Sequence, residues 1–344
     1  MRYPSVIRHH ELAFRTQYAE VKERVQAAGL LLPGTPGSLA IRTVRGREYW
    51  YRVYYPVPKK VSEAYVCATG DESERRAMED RIQFGRWVAT QVRSLRRLGF
   101  QVGSKQVARV LVELHNRGIT RELVLVGTQA YMALLNELGA VSISAMTMDV
   151  DLGAEEAQSV RIVAGASLLQ TLKDTQMPFV PVPGLNPKEG SATAKLPGAD
   201  GLRVDLLTAG PVLGTLVPVP ALQWSAQTIP YFDYLLADPE QSAVLAGDHC
   251  IPVRVPQPAR FVWHKLYSSR HRQEFPEKAV KDRQQAATLA QVLHEDDPEV
   301  LDEAWRCAPV AMREDLLSWM PASLRGTERT LFGNALKTAR SRLR

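Results

Sequence analysis

Two aspartates one residue apart, Asp149 and Asp151, stand between apolar neighbours in the stretch TMDVDL, residues 147–152. Acidic and apolar residues alternate there with period two, the pattern of a strand with one apolar face. Both carboxylates then project from the same face, a few ångströms apart, and their charges repel. A divalent cation relieves that repulsion. Oxygen ligands of this kind suit Mg²⁺ or Mn²⁺, and Mg²⁺ keeps water and substrate phosphate in its shell. A metal next to phosphate implies phosphoryl or nucleotidyl transfer.

Such a site needs further parts, and the chain supplies them in order. Asp205, in RVDLL, offers a third carboxylate on a later apolar strand. Gly127 and Thr128 stand between a short apolar strand, ELVLVG, and a helix, TQAYMALLNELG. A turn at that point offers phosphate free backbone N–H groups and the positive end of a helix dipole. An Asp-x-Asp pair alone is common by chance. The order of strand, Gly-Thr turn, helix, DVD strand and VDLL strand is far more specific, because each part falls on the element its chemistry requires.

With these residues in place the chain resembles the nucleotidyltransferase superfamily of the DNA polymerase beta type. That pattern is a Gly-Gly or Gly-Ser turn opening a helix, then Asp-x-Asp on a strand, then a later Asp; LVLVGTQAYMALL, TMDVDL and RVDLL match it in order. The chain is similar, more closely, to a bacterial nucleotidyltransferase-fold family related to the AbiEii-type toxins of toxin–antitoxin systems. Those carry a downstream helix with Pro and Lys and a Lys-Asp pair on the next helix, matched here by Pro258, Lys265, Lys281 and Asp282. The aromatic stretch GREYWYRVYYP ahead of the core is a further likeness, and the whole spans roughly residues 40 to 295. One departure is Thr128, where the superfamily has Gly or Ser: it keeps a hydroxyl but adds a methyl group.

The resemblance implies an α+β fold, a nucleotidyltransferase-like mixed sheet with helices. It implies that Asp149, Asp151 and Asp205 are catalytic and hold Mg²⁺ or Mn²⁺, with an NTP as substrate. Gly127, Thr128, Lys265, Lys281 and Asp282 are then the nucleotide-binding residues, and an antitoxin protein is a possible partner. A protein hydroxyl as acceptor, as in AMPylation, is an alternative. A metal-dependent DxD glycosyltransferase is another, but it requires neither the Gly127-Thr128 turn nor a third aspartate.

The surrounding elements divide the chain into a basic hairpin-plus-helix region (1–120), the catalytic core (121–256) and a helical C-terminal region (257–344). Residues 8–30 read as a helix, followed by a Pro/Gly break. GREYWYRVYYPVPKKVSEAYVCATG reads as a β-hairpin turning at Pro56–Lys60. Two helices follow: residues 71–99, acidic at the start and basic at the end, and residues 104–118, capped by Ser104. AEEAQSVRIVAGASLLQTLKD reads as a helix, and YFDYLLA and HCIPVRV read as strands.

The net charge of +6 is uneven: residues 1–120 carry +10 and the remainder −4. A basic first third suggests a polyanionic partner. Arg86, Arg93, Arg96 and Arg97 on the long helix, and Arg45, Arg47 and Arg52 beside hairpin tyrosines, suit phosphates and unpaired bases, so RNA such as tRNA is the expected acceptor. Cys67, Cys250 and Cys307 are far apart and lack CxxC spacing, which argues against a disulfide framework or zinc site. No apolar run is long enough for a bilayer and the N-terminus lacks a signal-peptide core, so a cytoplasmic location is expected.

Overall fold

The computed structural model describes residues 7–142, 149–161, 167–184, 190–272, 276–297 and 299–333. Thr147 and Met148 of the TMDVDL stretch therefore lie outside the described residues. The chain begins with β1 (Arg8–His9), α1 (Leu12–Ala28), β2 (Ser38–Val44), β3 (Arg47–Val57), β4 (Lys60–Ala68), α2 (Glu72–Arg97) and α3 (Lys105–Asn116). The middle comprises α4 (Ile119–Glu122), β5 (Val124–Val126), α5 (Gly127–Glu137), β6 (Ala140–Val141), β7 (Asp149–Ala154) and α6 (Leu168–Asp174). It continues through β8 (Val180–Pro181), β9 (Thr193–Lys195), β10 (Arg203–Ala209), β11 (Leu216–Val219), β12 (Trp224–Ile229), α7 (Phe232–Leu236), β13 (Glu240–Ala246) and β14 (His249–Val255). Helices α8 (Pro258–His271), α9 (Pro276–Asp296), α10 (Glu299–Cys307), α11 (Val310–Ser323) and α12 (Gly326–Leu331) complete it.

The result is an α+β protein with a helical C-terminal region. The main sheet runs β11-β12-β10-β7-β5-β14-β13, with β9 also paired to β10 and β8 to β9. Its pairings are mixed: β10 is parallel to β7 and β12, whereas β5 is antiparallel to β7. β5 is three consecutive buried residues, Val-Leu-Val, as a strand covered on both faces requires. Helix α5 packs on β7 and β13, while α1, α2 and α3 pack on β14. Buried side chains from Tyr18 to Phe332 join in one core. No described helix is long and apolar enough to cross a membrane.

Local chemistry accounts for the clearest boundaries. The Asp71 carboxylate accepts from the Glu74 N–H at 3.1 Å and starts α2, whose last turn carries Arg96 and Arg97. Ser104 accepts from the Val107 N–H at 3.2 Å and starts α3. The predicted hairpin is β3–β4, and β2 joins its free edge to make an antiparallel sheet.

Two local readings are corrected. YFDYLLA is the short helix α7, not a strand, because Tyr231 takes a left-handed turn (φ 56°) after Pro230 and ends the extended chain. In residues 154–174 the described helix is only Leu168–Asp174, which starts where Ser167 supplies a cap to the Gln170 N–H. Ahead of it, residues 155–159 form bends and turns that bury Ala157.

Candidate active site

Strand register assembles the three carboxylates. β7 and β10 run parallel with Asp151 directly beside Asp205, and with Asp149 beside Arg203. Residues two apart on a strand share a face, so Asp149, Asp151, Asp205 and Arg203 form a four-residue patch on one side of the sheet. On the other side of β7, Val126 pairs with Asp151, so the chain leaving β5 enters α5 at Gly127 beside the same carboxylate. Gly127 has φ 66°, and a Cβ built there would fall 2.8 Å from Asp151 Cγ. Only glycine meets both conditions. No side chain caps the start of α5, so its first N–H groups are left for other partners.

The carboxylates differ in setting. Burial, then the neighbouring Asp205, pushes the Asp151 carboxyl up from 3.8 to about 7, against the opposing pull of Lys265. Asp205 Oδ1 accepts from the Thr193 hydroxyl, and Arg203 Nη2 lies 3.4 Å from the same oxygen. Thr193 reaches it because β9 pairs antiparallel with β10, bringing Thr193 opposite Asp205.

Helices α8 and α9 bring the cations. Lys265 Nζ lies 2.6 Å from Asp282 Oδ1, and Arg272 Nε lies 3.1 Å from the other oxygen of that carboxylate. The Asp282 side chain is only 3% exposed, so it serves these two cations from inside the protein. Lys281 has its ammonium pKa lowered, chiefly by burial and then by Lys265, while Asp282, Asp149 and Asp151 act in the opposite sense. Thr128 is buried, with its hydroxyl 3.5 Å from Gln285 Nε2 on α9. His264 is buried with its Nε2 3.3 Å from the Pro230 carbonyl, a structural position.

A family model described as nucleotidyltransferase matches residues 105–309, well over half the chain and the whole span from α3 through α10. The chain belongs to this nucleotidyltransferase family. No curated protein and no solved structure matches it. The matched span contains every candidate site residue named above, from Gly127 to Asp282.

In this nucleotidyltransferase the sheet brings Asp149, Asp151, Asp205 and Gly127 together, and α8–α9 bring Lys265 and Lys281 within electrostatic range of Asp151. The carboxylates suit a hard divalent cation in donor type, and Asp151, raised chiefly by burial and then by Asp205, would gain from a neighbouring positive charge. Among the described residues no group of three or more His, Cys, Asp and Glu side chains is placed to hold a metal ion. Asp205 Oδ1 instead accepts hydrogen bonds from Thr193 and Arg203.

Four neighbours were missed in the sequence. Arg203 lies two residues before Asp205, so the period of two that exposed Asp149 and Asp151 would have found it. Arg272 lies seven residues after Lys265 and Gln285 three after Asp282, both helical spacings onto one face. Thr193 had no signal, since its place depends on the pairing of β9 with β10.

The basic N-terminal third is less free than its charge suggests. Arg86 Nη2 donates to the Gly37 carbonyl at 2.9 Å, Arg96 Nη2 to the Gly247 carbonyl at 2.6 Å, and Arg93 pairs with Asp248 at 3.1 Å. Arg52 is buried, stacks 3.9 Å over the Tyr54 ring and donates to the Pro33 and Thr35 carbonyls. On the opposite face of the hairpin sheet Tyr65 is exposed and Tyr49 and Tyr51 are half-buried. There Tyr51 pairs across from Tyr65, whose ring lies 5.8 Å from that of Tyr51 and 5.9 Å from that of Tyr49.

Proposed function

We propose that the protein moves a nucleotide from a metal-bound NTP to an RNA acceptor such as tRNA. The observation that carries this reading is the side-by-side pairing of Asp151 and Asp205 on parallel strands, with the Gly127 turn closed against Asp151. Asp149, Asp151 and Asp205 would hold Mg²⁺ or Mn²⁺, which when bound polarises the reacting phosphorus and neutralises charge on the phosphates. The chain's own residues do the rest. The start of α5, at Gly127 and Thr128, offers N–H donors to the triphosphate, and Lys265 and Lys281 offer it positive charge. Asp282 holds Lys265 and Arg272 in place rather than meeting the nucleotide itself.

Residues 1–120 act, in this reading, as the acceptor-gripping region ahead of a core (121–256) and a helical end (257–344). The grip falls to the outward tyrosines Tyr49, Tyr51 and Tyr65, with the exposed Arg45 and Arg47 nearby, because the helical arginines are largely engaged within the protein. Tyrosine faces stack unpaired bases, which a small-molecule acceptor would not need. The likeness to AbiEii-type toxins supports a toxin-like enzyme held by an antitoxin protein.

The test is incubation of the protein with each labelled NTP, Mg²⁺ and total tRNA, beside the Asp149→Ala/Asp151→Ala variant. Label in tRNA that the variant fails to transfer is the expected result. Label in protein bands would replace the RNA acceptor with a protein hydroxyl, and full transfer by the variant would remove the carboxylates from the site. Growth arrest on inducing the wild type but not the variant tests the toxin role.

A further inference from the structure

A cavity of about 920 Å³ lies away from the carboxylates. Val25 of α1, Leu31 of the following connection, Val57 of β3, Phe84 and Val88 of α2 and Ala108 of α3 line it, and Cys250 of β14 borders it. Strand direction fixes its position. β14 runs parallel to β5 with Arg254 beside Val124, and β5 advances from there to Gly127. Cys250 precedes Arg254 on β14, so the cavity sits at the opposite end of the sheet, roughly 23 Å from Gly127 along the strands at ~3.3 Å per residue.

Protein interiors keep few voids larger than a water molecule, whereas small-molecule pockets enclose about 300–1,000 Å³ behind mostly apolar walls. The walls here are closely built. A Cβ at Gly34 would fall 2.6 Å from the Tyr55 carbonyl oxygen, and one at Gly85 would lie 3.4 Å from Pro36. The connection after α1 is thus pressed against both the hairpin and α2 while the space beside it stays wide. The charged residues around the cavity are Arg81, Arg93, Lys105 and Arg109 against Asp80 and Asp248. Arg93 already pairs with Asp248 at 3.1 Å, which leaves a positive surplus.

We propose that this cavity binds an amphiphilic anion, an apolar chain or ring system carrying one anionic head group. The apolar walls take the body of the ligand, and the surplus cations, foremost Lys105 and Arg81, take its head.

The experiment titrates the full chain with dodecanoate and, separately, dodecyltrimethylammonium by calorimetry, below the concentrations at which either aggregates. Saturable one-to-one binding of dodecanoate, at least tenfold tighter than the cation, is expected. Val57→Trp and Val88→Trp each narrow the space and should weaken binding at least tenfold. The exposed pair Arg81→Glu/Lys105→Glu should abolish the preference for the anion with an unchanged melting temperature, and it serves where a tryptophan variant does not fold. The proposal is overturned by an absence of saturable binding, by equal affinity for the two head groups, or by an anion preference that survives the double charge reversal.

Discussion

Gly127 and Asp151 meet backbone to side chain: a Cβ at position 127 would sit 2.8 Å from the Asp151 Cγ. The glycine therefore shapes the carboxylate as well as any phosphate that approaches the helix start. Gly127→Ala should force Asp151 aside and, at φ 66°, add about 1–2 kcal/mol of backbone strain. Nucleotide transfer is expected to fall nearly as far as in Asp151→Ala, with only a modest loss in urea midpoint. A Gly127→Ala enzyme with unaltered kcat would show that the contact does not govern the chemistry.

Asp151 gives the fold a pH dependence of definite sign. Its carboxyl titrates near 7 in the folded protein against 3.8 ordinarily, so between those values the folded state holds a proton that the unfolded chain has lost. Metal-free stability contributed by this group then declines as pH rises from about 4 to about 7 and is level above. Asp151→Asn should lack that decline and melt higher than the wild type at pH 8. Melting curves of both proteins across this range, in chelator, provide the check; parallel curves would contradict it.

The buried pair of Lys265 and Asp282 predicts an asymmetric mutational cost. Asp282→Ala strands Lys265, whose side chain is 12% exposed, and removes the carboxylate beside the exposed Arg272. Removing one partner of a buried ion pair costs about 3–5 kcal/mol, whereas replacing both with apolar residues of similar size is often neutral. Lys265→Met/Asp282→Leu should accordingly recover much of the stability in urea unfolding while binding NTP more weakly than the wild type. Failure of the double variant to regain stability would place the energetic weight elsewhere.

RNA binding should depend on the outward hairpin tyrosines. Tyr49→Ala, Tyr51→Ala and Tyr65→Ala are each expected to weaken tRNA binding by about 1–3 kcal/mol, the worth of one stacked base. Affinity should also fall steeply with salt, because phosphate contacts release counterions. Filter binding across a salt series measures both, and a flat response in all three variants would move the acceptor away from RNA.

Legibility in the sequence followed the range of the interaction. Asp149 and Asp151 were readable because two residues on one strand reveal their shared face, and Ser104 because a cap acts within three residues. The alignment of Asp205 with Asp151 was expected only as a neighbouring strand; the register itself depends on the whole sheet. YFDYLLA misled because its aromatic run has strand character, while a single left-handed residue, Tyr231, decides otherwise. The arginines of α2 were readable as charge, but their carbonyl and carboxylate partners, Gly37, Gly247 and Asp248, lie on distant segments that composition does not join to them.

The Lys265–Asp282 bond also sets an order of events during synthesis. Strands β5, β7 and β10 are complete once Ala209 has been made, yet their carboxylate face still lacks the cations that α8 and α9 carry. At about 5–20 residues per second, the ribosome needs roughly 4–15 s to pass from Asp205 to Asp282. Throughout that interval the nascent chain holds Asp149, Asp151 and Asp205 with Arg203 beside them but without Lys265 and Lys281. A chain cut short before α9 is therefore expected to be both inactive and electrostatically strained, so the arrangement is complete only once α9 has been made.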